Sequence, residues 1–259
     1  MQRWSALVAC YNEQAFLPEM LASLLAQSVP CRIVVVDNGS TDLTLTLAKD
    51  LLSGVPGATV LSETRPGQVH ALAHGLRHID TEFVAICDAD TLYPANYLAS
   101  ATRLLDRPNR NIVAACAWPR TQASSVLANV LAAGHRLAAQ RLMPRQNHVN
   151  GGSQTFRTAA LLAAGGYDAA IWPYVLKDHE LMNRVLHFGD QAMSGDFWCS
   201  PSPRRGDRRR VRWTLTERLA YHTSRFRARD AFFHDWLAPR LEMRGQRDTV
   251  LRDQPWNAA

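Results

Sequence analysis

Two aspartates one residue apart end an apolar run in the first third of the chain. Residues 83–87 have the length and composition of a buried strand, and Asp88 and Asp90 follow. Alternate residues of an extended chain point to the same side, so the two carboxylates can converge on one cation. Hard oxygen ligands suit Mg²⁺ or Mn²⁺, which usually bind substrate phosphates as well. The alternative is an ordinary surface turn, because aspartate is common in turns.

Two earlier apolar runs, residues 5–10 and 33–36, also stop at polar residues. The second run is β-branched and too uniformly apolar for a strand that is buried on one face only. In open parallel sheets ligands bind at the carboxyl ends of the strands, so we expect the site at this edge. The polar residues that follow the two runs are Tyr11, Asn12 and Glu13, then Asp37, Asn38, Gly39, Ser40, Thr41 and Asp42.

Helical patterns follow both of these polar segments. They cover roughly residues 16–27 and 43–52. Ser40 or Thr41 is the predicted cap of the second helix, because short hydroxyl side chains accept hydrogen bonds from the first free N–H groups of a helix. Strands that alternate with helices in this way predict an α/β fold.

Composition fits one large domain or two closely packed halves. The chain has 259 residues, a mass of 28.9 kDa and 47% hydrophobic residues. The sequence has no apolar stretch of the roughly 18 residues that span a bilayer, and no signal-peptide pattern. The five cysteines lack metal-site spacing, so we expect small core residues in a reducing, cytoplasmic compartment. They are Cys10, Cys31, Cys87, Cys116 and Cys199.

Charge divides the chain into an acidic and a basic part. Residues 1–100 carry five Lys and Arg against ten Asp and Glu, and residues 101–259 carry 24 against 13. An arginine-rich run lies at residues 200–213, without any nucleic-acid motif, so no nucleic-acid partner is expected. The run favours a substrate diphosphate or an anionic membrane surface as partner, and a solvated loop is the alternative.

Taken together and in this order, the motifs resemble the family 2 glycosyltransferases of the GT-A fold. The likeness covers about residues 4–190. A shorter match at residues 209–213 is similar to the Q/R-x-x-R-W signature of processive and lipid-directed members. The motifs are Cys10-Tyr11-Asn12-Glu13, residues 34–42, Asp88-Ala89-Asp90, residues 150–157, Gly165-Gly166-Tyr167-Asp168 and residues 177–181.

The resemblance implies a Rossmann-like, mixed but mainly parallel sheet flanked by helices, followed by a helical basic C-terminal region. Residues 1–105 are then the donor-binding half, and residues 106–199 the half that binds the acceptor and carries the base. Residues 200–259 are a basic loop and a helical tail. The implied enzyme is a hexosyltransferase (EC 2.4) that moves a sugar, with inversion, from a UDP- or GDP-sugar to a hydroxyl of a glycan or lipid-linked acceptor.

The same resemblance assigns roles on the donor side. Asp90 would bind the Mg²⁺ or Mn²⁺ that bridges the two phosphates, and Asp88 would act through the metal or the ribose. Asp37 would accept a hydrogen bond from the base. The full donor-side set is Tyr11, Asn12, Glu13, Asp37, Asn38, Arg65, Asp88, Ala89, Asp90, Arg209, Arg212 and Trp213, and the acceptor-side set is Gly151, Gly152 and Ser153.

A general base for the incoming hydroxyl is implied at Asp178, where the family places its catalytic carboxylate at a helix start. The preceding residue is Lys177 instead of the usual acid. Glu180 lies two positions on and is the alternative base. A helix N-cap is a further role for Asp178, and it is compatible with catalysis.

One segment between the aspartate motifs departs from the family pattern. Gln68 replaces the usual Lys, and Ala73 replaces the usual Asn. Arg65 or His70 is a candidate for the missing donor to the base or phosphate. No residue distinguishes a uracil donor from a guanine donor at this stage.

The tail from Trp213 to about Met243 mixes aromatic residues with arginines. At helical spacing this mixture makes either an amphipathic basic surface for an anionic bilayer or a helix pair packed on the core. The first alternative predicts peripheral association with the inner face of the cytoplasmic membrane and a role in the cell envelope.

Two rival functions also fit part of the sequence. Residues 86–92 resemble the nucleophile motif of haloacid-dehalogenase-type phosphohydrolases, with Asp88 as the nucleophile. In that family, however, the motif usually lies on the first strand. The other rival is a non-catalytic nucleotide-sugar binder, which would lack a base. The presence of Asp178 and Glu180 favours an enzyme.

Overall fold

A seven-stranded sheet forms the centre of the protein. The computed structural model describes residues 2–120, 125–147, 149–202 and 213–252. The strands of the main sheet, in chain order, are β1 (Trp4–Cys10), β2 (Cys31–Asp37), β3 (Ala58–Ser62), β4 (Phe83–Asp88), β6 (Ile112–Cys116), β8 (Gln154–Arg157) and β9 (Asp190–Ala192). A smaller sheet contains β5 (Thr91–Leu92), β7 (Trp118–Pro119) and β10 (Trp198–Pro201).

The main sheet has the order β3-β2-β1-β4-β8-β6-β9. Strands β1 to β4 are parallel to one another, β8 runs antiparallel to both β4 and β6, and β9 is parallel to β6. The predicted mixed, mainly parallel sheet is therefore confirmed.

Helices connect the strands and form the C-terminal region. The α-helices are α1 (Leu17–Leu25), α2 (Thr44–Leu52), α3 (Gln68–Leu76), α4 (Tyr97–Leu105), α5 (Val126–Leu142), α6 (Thr158–Ala163), α7 (Lys177–Val185), α8 (Leu215–Thr223), α9 (Arg229–Ala231) and α10 (Ala238–Met243). A π-helix covers Phe232–Leu237, and 3₁₀ turns cover Gly151–Ser153, Phe226–Ala228 and Asp248–Leu251.

The central strands β1, β2 and β4 are mainly apolar because both faces of the sheet are covered there. In β1 the side chains alternate between two hydrophobic clusters: Ala6 and Val8 belong to one, and Leu7 and Ala9 to the other. All seven residues of β1 are buried. All five cysteines are free, and only Cys31 is not fully buried, as expected for small core residues.

The loops after β1 and β2 are tied together by side chains, and this changes the predicted cap of α2. Ser40 accepts a hydrogen bond from the Asn12 N–H, and the Thr41 N–H donates to Asn12 Oδ1. The prediction that Ser40 or Thr41 caps the helix is wrong. Asp42 Oδ1 instead accepts from the Thr44 N–H at 2.9 Å. Ser40 and Thr41 bridge two strand ends, a long-range contact that local sequence does not encode.

The C-terminal helices pack on the body of the protein, as the second alternative for the tail predicted. Tyr221, Phe232, Phe233 and Leu237 form a buried cluster with Trp172. An arginine, Arg229, is itself buried, and its guanidinium lies over the Tyr221 and Phe226 rings. In the described parts of the chain, no helix combines the length and the apolar composition that a membrane crossing needs.

Candidate active site

A cavity of about 360 Å³ opens at the carboxyl ends of β1 and β4. Its wall combines these strand ends with the start of α7 and with residues from the C-terminal region. It contains the predicted site residues Tyr11, Glu13, Asn38, Asp88, Ala89, Asp90, Gly151, Asp178 and Trp213. It also contains Gln68, Lys177, His179, Asp248 and Arg252, for which the sequence analysis gave no role.

Asp88 lies against the first glycines of the acceptor-side motif. A Cβ atom on Gly152 would lie 2.1 Å from Asp88 Oδ2, so only glycine fits there. The Tyr93 hydroxyl accepts from the Asp88 N–H and donates to the Gly152 carbonyl, both at 2.9 Å. Burial raises the pKa of Tyr93 well above its ordinary value, so the hydroxyl stays protonated and can donate. Gln68 Nε2 donates to Asp88 Oδ1 at 3.4 Å, so Gln68 helps to orient the carboxylate.

Asp90 is buried and is held by the strand that precedes the arginine-rich run. Strand β10 pairs with β5, which starts directly after Asp90. Ser202 then donates twice to Asp90, from Oγ to Oδ2 at 3.0 Å and from N–H to the main-chain carbonyl at 2.9 Å. The next residue of the described chain, Trp213, lies in the cavity wall. Residues 203–212, the part of the arginine-rich run outside the described residues, are therefore flanked on both sides by residues at the site. Arg209 and Arg212 themselves are outside the described residues.

Two predicted donor-side residues do not line the cavity: Asp37, at the end of β2, and Asn12, in the loop after β1. Asp37 Oδ2 accepts from the N–H groups of Gly39 and Ser40, while Asp37 Oδ1 is buried without a hydrogen-bond partner in the described chain. A buried carboxylate oxygen without a hydrogen-bond partner costs folding stability. Asn12 adopts a positive φ of 54°, which its side chain supports through the bond to Thr41.

Asn38 presents a side-chain oxygen with a fixed orientation. Its Nδ2 donates to the carbonyls of Glu63 and Arg65 at 3.1 and 2.8 Å. Its Oδ1 accepts from the Gly67 N–H at 2.9 Å. These bonds define which end of the amide is oxygen, and that oxygen faces the side where Arg252 binds.

The described chain returns to this cavity near its C-terminal end. Asp248 accepts from the Val69 N–H at the start of α3 at 2.7 Å, and from Lys177 Nζ at 2.6 Å. The Arg252 guanidinium lies over the Tyr11 ring, 3.6 Å from its centroid. Sequence reasoning missed both residues, because no local motif marks a contact across more than 170 positions.

Asp178 lies in the first turn of α7, but it is not the N-cap, which is Leu176 in a left-handed conformation (φ 62°). Its Oδ1 is 3.2 Å from His179 Nδ1. Its main-chain carbonyl accepts from Asn147 and Gln154 at 3.3 Å each, which fixes the start of the helix. A Cβ atom on Gly151 would lie 3.5 Å from the Asp178 Cβ. The adjacent glycines thus separate the Asp88 and Asp178 carboxylates.

Glu180 lies outside the cavity and is only 1% exposed. Arg184 Nε and Nη2 donate to its two oxygens at 2.7 and 2.9 Å, and His234 Nε2 is 3.3 Å away. Burial alone would raise the pKa of Glu180, but hydrogen bonds from His234 and Arg184 outweigh it and lower the pKa. This placement gives Glu180 an ion pair outside the cavity, and of the two candidate bases Asp178 is the one that lines the cavity.

Three further predicted residues are close to the cavity without lining it. Gly152 and Ser153 form the buried 3₁₀ turn behind Gly151. Arg65 points to Glu63, where its side-chain hydrogen bonds lower the pKa of Glu63 to about 2. This pairing with Glu63 gives Arg65 a local structural contact outside the cavity wall.

Comparison with known proteins identifies the family of this chain. The model of the family described as Glycosyl transferase family 2 matches residues 5–162, more than half of the chain. The chain belongs to this family. It is 31% identical over 219 residues to uncharacterised glycosyltransferases of Mycobacterium tuberculosis and Mycobacterium bovis, covering 82% of this chain and 90% of theirs. The haloacid-dehalogenase-type alternative is set aside by this membership.

More distant relatives of this family 2 glycosyltransferase have known products or solved structures. Poly-β-1,6-N-acetyl-D-glucosamine synthase of Staphylococcus epidermidis is 27% identical over 194 residues, which is 68% of this chain and 47% of the synthase. The mannosyltransferase PcManGT of Pyrobaculum calidifontis, solved with GDP-Man and Mn²⁺, has a TM-score of 0.66 at 23% identity, covering 93% of this chain and 73% of that one. TarS of Staphylococcus aureus with UDP-GlcNAc has a TM-score of 0.61 at 16% identity, covering 98% and 76%. These two structural likenesses show the shared fold.

The residues of this glycosyltransferase fit a divalent cation that is shared with a substrate. Among the described residues, no three His, Cys, Asp or Glu side chains form a closed metal cage. Asp88 and Asp90 both line the cavity. Magnesium-type sites commonly use one or two carboxylates and complete their coordination with water and substrate phosphates. A site of two carboxylates beside an open cavity has this composition.

Proposed function

We propose that this chain is an inverting glycosyltransferase that uses a nucleoside-diphosphate sugar and a divalent cation. The observation that carries the proposal is the cavity that joins Asp88 and Asp90 to Asp178, with Gly151 and Gly152 between them. The reaction needs carboxylates that hold the metal-bound diphosphate on one side of the transferred sugar. It also needs a carboxylate on the other side that accepts the proton of the incoming hydroxyl. The same cavity contains carboxylates for both roles.

In the reaction, Asp178 acts as the general base. Its carboxylate accepts the proton of the acceptor hydroxyl while that oxygen attacks the anomeric carbon. The bond from that carbon to the diphosphate oxygen breaks, and the nucleoside diphosphate leaves from the opposite side. His179, next to the Asp178 carboxylate, orients it. When bound, Mg²⁺ or Mn²⁺ supplies positive charge that stabilises the leaving diphosphate.

Donor binding follows from the strand ends. Asp88 and Asp90 would hold the cation, and Tyr11 offers a ring for the nucleobase. The arginine-rich run at residues 203–212 is proposed to add positive charge beside the diphosphate, since the residues on both sides of it lie at the site.

The proposed acceptor is a lipid-linked or envelope glycan, reached at the inner face of an anionic membrane. Residues 200–259 contain 14 Arg against seven acidic residues, and each basic residue near such a surface contributes about 1 kcal/mol. The aromatic residues of the tail are largely buried, although Leu215 and Leu219 of α8 are exposed, and we assign the main apolar contact with lipid to α5. There Val126, Leu127, Val130 and Leu131 form an exposed apolar stripe, in a helix with no acidic residue.

The test of the donor half is a panel of nucleotide sugars with Mg²⁺ or Mn²⁺, in which the release of nucleoside diphosphate is measured with and without glycan and lipid-phosphate acceptors. We expect metal-dependent release, and NMR of the product should show inversion at the anomeric carbon. Binding without any release, across acceptors, would instead identify a non-catalytic nucleotide-sugar binder. Retention of the anomeric configuration would refute the role of Asp178 as general base.

Vesicle flotation tests the membrane part separately. Anionic vesicles should retain the protein at low salt, and neutral vesicles should not. The double variant Leu127→Gln/Leu131→Gln should lose retention, whereas Leu43→Gln, at an exposed leucine that precedes α2, should keep it. Equal retention of both variants would show that α5 is not the contact.

A further inference from the structure

The Arg252 side chain has the shape and hydrogen bonding of a bound nucleobase. Its planar guanidinium lies over Tyr11 at 3.6 Å from the ring centroid. Its Nη1 donates to Asn38 Oδ1 at 2.5 Å, and its Nη2 donates to the Asn38 main-chain carbonyl at 2.9 Å. The backbone of Gly39 adjoins the same group, since a Cβ atom there would be 3.9 Å from Nη2. A flat group thus stacks on an aromatic ring while two adjacent N–H groups meet two carbonyl oxygens.

The two acceptors are fixed before any ligand arrives. Asn38 Oδ1 cannot exchange places with Nδ2, because Nδ2 already donates to the carbonyls of Glu63 and Arg65. The second acceptor is a backbone carbonyl at the end of β2, which has no freedom to become a donor. The subsite formed by the Tyr11 ring and the two Asn38 oxygens therefore selects a planar ligand with two neighbouring N–H donors.

We propose that this subsite binds the guanine of a GDP-sugar and that the Arg252 side chain occupies it until the donor arrives. Guanine carries N1–H and N2–H₂ on one carbon, which is the same N–C–N fragment that a guanidinium presents. Uracil offers one N–H between two carbonyl oxygens, so when this N–H meets one acceptor a carbonyl oxygen faces the other acceptor and repels it. Adenine offers an amino group beside a ring nitrogen that is itself an acceptor. Guanine alone matches both acceptors.

Arg252 and the base compete for one place on Tyr11. Donor binding therefore requires the guanidinium to leave. The larger the fraction of molecules in which Arg252 occupies the subsite, the lower the apparent affinity for the donor. Asp248, which is bound to the start of α3 and to Lys177, anchors the turn from which Arg252 projects. The turn can stay in place while the Arg252 side chain moves.

This inference rests on the proposed function, and nucleoside diphosphates test the two separately. Titration calorimetry with Mn²⁺ on the full chain would compare GDP, IDP and UDP. We expect GDP to bind at least about tenfold more tightly than UDP. Inosine lacks the 2-amino group and loses one hydrogen bond, so IDP should bind about tenfold more weakly than GDP.

The arginine is tested by Arg252→Ala, which should tighten GDP binding by about three- to tenfold because the competing group is gone. Arg247→Ala is the matched control: it removes an arginine five residues earlier that pairs with Glu242 on the surface, and it should leave GDP affinity unchanged. Thermal melting checks that both variants are folded.

Three results would overturn the inference and leave the proposed function standing. They are tighter binding of UDP than of GDP, equal binding of GDP and IDP, and weaker or unchanged GDP binding in Arg252→Ala. Failure of the wild type and of both variants to bind any nucleoside diphosphate would refute the proposed function itself.

Discussion

The substitution Asp178→Asn tests which of the two carboxylates of α7 is the general base. The change removes the proton acceptor and keeps the shape of the side chain. If Asp178 is the general base, kcat should fall by about 10²- to 10⁴-fold, the usual contribution of such a base. In activation free energy this is about 3 to 5 kcal/mol. Donor affinity should stay nearly unchanged, because the lost interaction forms only in the transition state.

Glu180→Gln is the matched change two positions away, and its expected effect is on folding. It leaves the Arg184 guanidinium, which is 16% exposed, and the His234 ring, which is 40% exposed, beside a neutral amide at a position that is itself 1% exposed. Removing one partner of a fully buried ion pair costs about 3 to 5 kcal/mol, and the water that reaches these two partners lowers the expected cost to about 3 kcal/mol or less. We expect a lower melting temperature and, in the folded fraction, a kcat close to that of the wild type.

The assay combines steady-state release of nucleoside diphosphate, donor titration and thermal melting for the two variants and the parent. Normalising kcat to the folded fraction removes the stability effect of Glu180→Gln. The assignment of the base to Asp178 is refuted by near-parent turnover in Asp178→Asn together with a folded but inactive Glu180→Gln.

Three further changes test the rest of the site. Asp90→Ala should abolish the Mn²⁺-dependent part of nucleoside diphosphate binding, measured by calorimetry, and equal binding with and without the substitution would contradict a metal role. Gly152→Ala places a methyl group within 2.1 Å of the Asp88 carboxylate, so turnover and melting temperature should both fall sharply. In Gly151→Ala the methyl group makes only an ordinary van der Waals contact, so the melting temperature should fall only slightly. His234→Gln tests pH dependence. The hydrogen bond to the buried glutamate of α7 raises the pKa of His234 above 6.5, so its stabilisation is complete below that pH and is lost as pH rises through the raised pKa. Melting temperatures across this range should depend less on pH in the variant, and an unchanged profile would refute the contribution.

Part of the cavity lining could be predicted from one physical rule. Buried parallel strands must be apolar along their whole length, so the first polar residues after them mark the sheet edge where a ligand binds. Tyr11, Asn38, Asp88 and Asp90 were found in this way, and the structure places all of them at one cavity.

Contacts between distant segments were beyond sequence reasoning. The bonds of Asp248 and Arg252 to the cleft depend on where the C-terminal helices pack. Glu180 was the alternative base, and its pair with Arg184 has the i,i+4 spacing of neighbours on one helix face, whereas its contact with His234 joins distant segments and follows from no local pattern.

Strand β8 links the end of β4 to the start of α7, because it pairs with β4 and because Gln154 Nε2 donates to the Asp178 carbonyl at 3.3 Å. Phe156 pairs with Val84 of β4 on one side and with Ala114 of β6 on the other, and it is fully buried. A hinge motion that moved β4 relative to β6 would have to break this ladder. Motions that admit the substrate and release the product are therefore expected in segments outside the sheet.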